Sequence, residues 1–231
     1  MDLKGILFDK DGTLFDFDAT WGQWCRQFLA DLAGDDTALA ARLAATIGYV
    51  PETASFLPDS PVLADTPHTI ATRLLPHLDG WQIGPLVAHM NALAEAAPQV
   101  PMVPLVPLLG GLRARGLVLG VATNDAEAPA RAHLSAAGVI GMFDQVIGFD
   151  SGFGGKPAPG PLLAFAARAG LAPAQVAMVG DSVHDLTAAR EAGMIAVGLG
   201  RNARNLAGLT ALADVILPDI GALPDWIDAK V

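Results

Sequence analysis

With 231 residues, 52% of them hydrophobic and only 16% charged, the chain can bury a substantial core, which excludes a disordered class. A net charge of −10 and a pI near 4.7 exclude a protein that grips nucleic acid through its phosphates, and no basic patch stands out. The mean hydropathy of +0.41 raises the question of a membrane span, but no run reaches the length of about 18 apolar residues that a span needs.

The most apolar segment, Val100 to Leu112, is broken by Pro101, Pro104 and Pro107. The chain passes from Met1 into a core strand within a few residues, so no leader is expected ahead of it. Cys25 is the sole cysteine and reads as a packed helix residue; without an intramolecular disulfide, the expected compartment is the cytoplasm.

In chain order, the apolar run Gly5-Ile6-Leu7-Phe8 reads as a buried strand. From Ala19 to about Ala97 apolar residues recur at helical spacing, as in Trp21, Trp24 and Phe28. Breakers near Gly34, Pro51, Leu57 to Pro67, and Gly80 divide this stretch into four or five short helices, with no strand expected. Trp21, Trp24 and Phe28 are read as packing residues of this helical segment, with Phe17 and Trp21 as pocket walls the alternative. Pro98 to Pro107 reads as a linker, followed by a helix from Leu108 to Arg115.

Beyond it strands and helices alternate. Strands are expected at Leu117 to Ala122, Gln145 to Gly148, Val176 to Val179, Ile195 to Leu199 and Val215 to Leu217. Helices are expected at Ala126 to Ala137, Pro159 to Ala169 and Asp185 to Ala192, each closed by a glycine. Such alternation implies an α/β protein, with a parallel sheet covered by helices on both faces.

Polar clusters stand at the strand ends, where open α/β sheets place their ligands. They are Asp9-Lys10-Asp11-Gly12-Thr13, Thr123-Asn124-Asp125, Gly155-Lys156-Pro157, and Gly180-Asp181-Ser182-Val183-His184-Asp185. Carboxylate oxygens suit Mg2+, which keeps waters that a phosphate can replace. A hydroxyl and a lysine can hold the equatorial oxygens of a phosphoryl group. One carboxylate can attack phosphorus, and a second two residues on can move the proton of the leaving group and of water. Lys10 is read as solvent-facing and His184 as exposed; Asn124 is read either as a phosphate contact or as a turn former.

These four clusters, in this order, resemble the haloacid dehalogenase superfamily, and within it the phosphoglycolate-phosphatase-like branch. The resemblance rests on Asp9 to Thr13, Thr123, Lys156 and Gly180 to Asp185, supported by Pro157-Ala158-Pro159 and Ala188 to Met194. It implies a Rossmann-like core of residues 1–16 and 99–231 with an inserted all-helical cap, residues 17–98. It also implies an Mg2+-dependent phosphatase acting on a small phosphorylated metabolite, as a monomer or homodimer. Asp9 would be the nucleophile and Asp11 the acid/base. Asp9, the Asp11 backbone carbonyl and Asp181 would bind Mg2+. Thr123 and Lys156, with Asn124 beside them, would hold the phosphoryl group, and Asp185 would orient Lys156 or a metal-bound water.

Asp11 argues against the superfamily's dehalogenases, and the absence of lysine from 17–98 against its phosphonatases. A sugar phosphomutase of the β-phosphoglucomutase type remains the enzymatic alternative, and a phospho-aspartate receiver module the remote one. The insert carries Arg26, Arg42 and Arg73 against nine acids. Each arginine is read as a surface ion pair, with capture of a substrate carboxylate as the alternative.

Overall fold

In the computed structural model, which describes residues 2–200 and 206–229, the apolar strand runs line up side by side. The elements are β1 (Gly5–Phe8), α1 (Phe17–Ala33), α2 (Thr37–Thr46), β2 (Tyr49–Val50), β3 (Ser55–Phe56), α3 (Pro67–Leu74) and α4 (Ile83–Glu95). They continue with α5 (Leu105–Ala114), β4 (Val118–Ala122), α6 (Glu127–Ala136), β5 (Gln145–Ile147), α7 (Gly160–Ala169), β6 (Val176–Gly180) and α8 (Val183–Ala192). The last four are β7 (Ile195–Leu199), α9 (Leu206–Leu212), β8 (Val215–Leu217) and α10 (Leu223–Asp228).

Six strands form one parallel sheet in the order β5-β4-β1-β6-β7-β8. β1 is central, between β4 and β6, so its side chains are buried on both faces, as its unbroken apolar run anticipates. The period-2 alternation of strands divides them. Ile6 and Phe8 pack with Leu109 of α5, Leu134 of α6 and Trp226 of α10, while Leu7 packs with Phe165 of α7, Leu186 of α8 and Leu209 of α9. This is a Rossmann-like α/β fold with helices on both faces. No helix among the described residues is long and apolar enough to cross a membrane.

The inserted segment has its own apolar cluster, with Trp24, Phe28, Leu43, Ile47, Leu74, Leu86 and Met90 at its centre. It is not wholly helical as expected: Tyr49–Val50 and Ser55–Phe56 pair as a short antiparallel ladder. Two residues per strand are too few to leave a period in the sequence. The Tyr49 hydroxyl donates to Gly22 O at 3.0 Å and fixes this ladder on α1.

The expected linker to Pro107 is also shorter, because α5 begins at Leu105. Pro107 falls in its first turn, where a missing N–H costs no helical hydrogen bond. Two backbone bonds tie the chain's exit and return, Asp16 N to Val100 O at 2.8 Å and Met102 N to Leu14 O at 2.9 Å.

Candidate active site

β1 delivers Asp9 to its C-terminal edge, where Asp9 N continues the ladder by donating to Val179 O at 2.9 Å. The chain then turns tightly, with Leu14 N and Phe15 N both donating to Lys10 O. Gly12 sits in this turn at φ +83°, and a Cβ there would collide with the Asp181 carboxylate. Glycine is therefore required on two counts, backbone conformation and close approach.

Lys156, buried to 6% exposure, is the hub of the site. Its ammonium lies 2.6 Å from Asp9 Oδ1 and 2.6 Å from Asp185 Oδ1, and donates to Ala122 O at 2.7 Å. Two of its protons have hydrogen-bond acceptors, Asp9 Oδ1 and Ala122 O, while Asp185 Oδ1 meets it as an ion-pair partner only. Burial pulls its pKa down, but the charges of Asp185 and Asp9 outweigh this and raise it. Asp185 Oδ2 accepts from the Ser182 hydroxyl at 2.6 Å and from Ser182 N at 3.0 Å, which locks its carboxylate at the start of α8. A Cβ at Gly180 would collide with Asp185, so the approach of these two segments is as close as glycine permits.

Carboxylate oxygens of Asp9, Asp181 and Asp185 all lie within 4.8 Å of one another. Against three acids stands one ammonium. Burial pushes the Asp9 carboxyl up to about 7, with Lys156 opposing and Asp185 and Asp11 adding repulsion. Burial and then Asp9 and Asp185 raise Asp181 as well. Hard oxygen donors with excess negative charge fit a divalent cation such as Mg2+. The carboxylate of Asp11 is not one of this group, whereas that of Asp185 is.

Asp11 instead meets Lys10. The sequence reading placed Lys10 in solvent; the structure buries it completely, at 0% exposure. Its ammonium lies 2.7 Å from Asp11 Oδ2, 3.4 Å from Asp125 Oδ2 and 3.1 Å from His133 Nδ1. It also stands 5.3 Å from the centre of the Trp21 ring. Burial pulls the Lys10 pKa down, but Asp11 and Asp125 outweigh it.

His133 Nδ1 faces an ammonium and so must accept; Nε2 then carries the proton and donates to Ala94 O at 2.6 Å. Burial, then the Lys10 charge, lowers His133 to about 4, so the ring is neutral. Burial raises Asp125 to about 6, with Lys10 opposing. Sequence reasoning missed this cluster. One signal was present: His133 shares a helical face with Ala130 and Leu134, both core residues.

Thr123 stands at the end of β4 with its hydroxyl accepting from Asp125 N at 3.0 Å. Asn124 braces two loops: Oδ1 accepts from Lys156 N at 2.8 Å, and Nδ2 donates to Lys156 O at 2.8 Å and to Ala64 O at 2.6 Å. His184 is not exposed as expected but half-buried, its Nδ1 donating to Ala64 O at 3.2 Å. Ala64 thus joins the inserted segment to the loop after β4 and to the first turn of α8.

Between sheet edge and insert lies a cavity of about 670 Å3, its open mouth included. Asp9, Asp11, Thr123, Asn124, Lys156, Asp181 and Asp185 line its floor. Phe17, Trp21, Trp24, Ile70, Met90 and Asn91 line its roof. Phe17 and Trp21 do wall the pocket, while Trp21 and Trp24 also belong to the core of the insert. Arg26 donates to Pro51 O and Arg73 pairs with Asp65 at 3.6 Å; none of the three insert arginines lines the cavity.

The parallel sheet thus gathers a carboxylate pair, a lysine hub and an acidic cluster at its carboxyl edge, where open α/β sheets place their ligands. The chain belongs to the haloacid dehalogenase-like hydrolases, whose family model matches residues 3–193. Among curated relatives, it is 40% identical over 121 residues to a phosphoglycolate phosphatase of Rhodospirillum rubrum, a match spanning 52% of this chain and 49% of that protein. It is 45% identical over 91 residues to a phosphoglycolate phosphatase of Escherichia coli, spanning 39% and 36%. The chain thus spans half or less of the length of the curated relatives it matches.

Solved structures share the fold over nearly the whole chain. A predicted phosphoglycolate phosphatase from Haemophilus somnus 129pt aligns with a TM-score of 0.70 at 21% identity, covering 98% of this chain and 99% of that one. An L-2-haloacid dehalogenase from Xanthobacter autotrophicus aligns with a TM-score of 0.65 at 20% identity, covering 99% and 100%.

Proposed function

We propose that the protein is an Mg2+-dependent phosphatase that cleaves a small phosphomonoester through an aspartyl-phosphate on Asp9. The observation that carries this reading is the Lys156 ammonium held 2.6 Å from both Asp9 and Asp185, beside the Asp181 carboxylate. An ammonium so placed holds Asp9 in one orientation and offers positive charge where a phosphoryl oxygen would rest. Asp9 and Asp181, with the Asp11 carbonyl, would hold Mg2+, which supplies charge neutralisation for the anionic substrate and permits attack by a carboxylate. Asp185, within reach of the same position, fixes Lys156.

Asp9 Oδ attacks phosphorus as the ester P–O bond breaks, and Asp11 gives its proton to the departing alkoxide. Asp11 then takes a proton from a water that attacks the acyl phosphate, releasing phosphate and restoring Asp9. Thr123 Oγ and Lys156 Nζ stabilise the equatorial oxygens in both steps. Lys10 holds the Asp11 carboxylate in place from the protein side. In this reading residues 17–98 are a cap that excludes water during the first step.

The substrate named for the relatives, phosphoglycolate, is one candidate of this class. The test is phosphate release from an alkyl phosphate with Mg2+, comparing wild type with Asp9→Asn. Wild type turns over and Asp9→Asn does not; equal rates would overturn the proposal.

A further inference from the structure

The cavity that receives the leaving group has a chemistry of its own. Its roof is aromatic and apolar, from Phe17, Trp21, Trp24, Ile70 and Met90. Trp21 and Trp24 meet edge to face, 5.2 Å apart at 81°, and Phe17 adjoins Trp21 at 6.4 Å in a tilted arrangement. Two polar atoms in this roof, Trp21 Nε1 and Asn91 Oδ1, are buried without a hydrogen-bond partner. An unpaired buried donor and an unpaired buried acceptor are costly unless a ligand completes them.

Positive charge is missing from the roof. Among the described lining residues Lys156 is the only lysine or arginine, and its charge is committed to Asp9, Asp185 and the phosphoryl position on the floor. His184 is engaged with Ala64 through Nδ1. Asp65 adds a carboxylate to the lining. A leaving group that carried its own carboxylate would be desolvated here with no cation to meet it.

We infer that the substrate is the phosphomonoester of an uncharged, ring-bearing alcohol and not of a hydroxy acid. Its rim carries an acceptor for the Trp21 indole N–H and a donor for the Asn91 carboxamide. This rests on the phosphatase reading and names its substrate class.

The test uses the full chain with Mg2+ and four alkyl phosphates: 2-phosphoglycolate, ethyl phosphate, benzyl phosphate and 3-(hydroxymethyl)benzyl phosphate. Phosphate release is followed in wild type and Asp9→Asn. The expected kcat/KM for benzyl phosphate exceeds that for 2-phosphoglycolate by about 100-fold, with ethyl phosphate between them. The hydroxymethyl group adds a further factor of about 5, and Trp21→Phe and Asn91→Leu each bring that factor towards one. If 2-phosphoglycolate matches or exceeds benzyl phosphate while release still depends on Asp9, the substrate class is wrong and the phosphatase reading stands. If no substrate shows Asp9-dependent release, both are overturned. If the two variants leave the hydroxymethyl factor unchanged, the assignment of the two roof atoms is wrong.

Discussion

Lys10 shows how a single side chain can reverse its expected role. Lying between two aspartates just past a strand, it reads as a solvated charge, because its neighbours in sequence are acids and a turn. Its partners Asp125 and His133 are more than a hundred residues away, and nothing local announces them. Asp9, Asp11, Thr123, Lys156, Asp181 and Asp185 were legible because their spacing and order form a pattern. Lys10 and His133 were not, because a buried polar cluster is defined only by contact.

Replacing Lys10 by Met leaves Asp125 buried without its cation, and such breakage of a buried pair costs about 3–5 kcal/mol. Urea unfolding of Lys10→Met should show a midpoint lowered accordingly, and a midpoint within error of wild type would show that the pair contributes nothing. His133 supplies a pH-dependent test. Its folded pKa of about 4 lies below the ordinary 6.5, so between these values the unfolded chain binds more protons. Its contribution is fully present above about pH 6.5 and is lost as the pH falls through the window to 4, by at most about 3 kcal/mol. The stability difference between wild type and His133→Gln should therefore shrink as the pH falls from 7 to 4. Taking the difference removes the titration of Asp9, whose raised value acts in the opposite sense.

At the scale of elements, strands were legible wherever both faces are buried. β1, β4, β6, β7 and β8 all lie within a residue or so of the apolar runs that announced them. Elements without a period were not: the ladder of β2 and β3 is held by Tyr49 on α1, and α10 is a six-residue helix docked through Trp226. The start of α5 was missed because proline reads as a breaker although the first helical turn accepts it. The loop after β1 is where geometry is least forgiving. Gly12→Ala forces a side chain into a left-handed position against Asp181, so the acidic cluster must open. Mg2+ should raise the melting temperature of wild type through binding to the folded state. Gly12→Ala should reduce this rise by more than half; an undiminished rise would mean that Asp181 does not hold the ion.

For the whole molecule, two apolar clusters on the faces of the sheet and a third within the insert account for the arrangement. The insert leaves and returns at one place, tied by Asp16 to Val100 and Leu14 to Met102. It touches the sheet edge through Ala64 and Ala94, whose carbonyls receive Asn124, His184 and His133. The cavity between them was not legible, because its roof depends on how α1, α3 and α4 turn their side chains. A list of tryptophans does not say which ring faces the end of β1.

The central claim is that Asp9 carries the phosphoryl group in transit. It is tested most directly by acid-quenching the enzyme during turnover of an alkyl phosphate with Mg2+ and mapping the phosphorylated peptide by mass spectrometry. The account predicts a phosphoryl group on Asp9 in wild type, and none on that peptide in Asp9→Asn. Steady turnover by wild type with Asp9 unmodified at every quench time would contradict it.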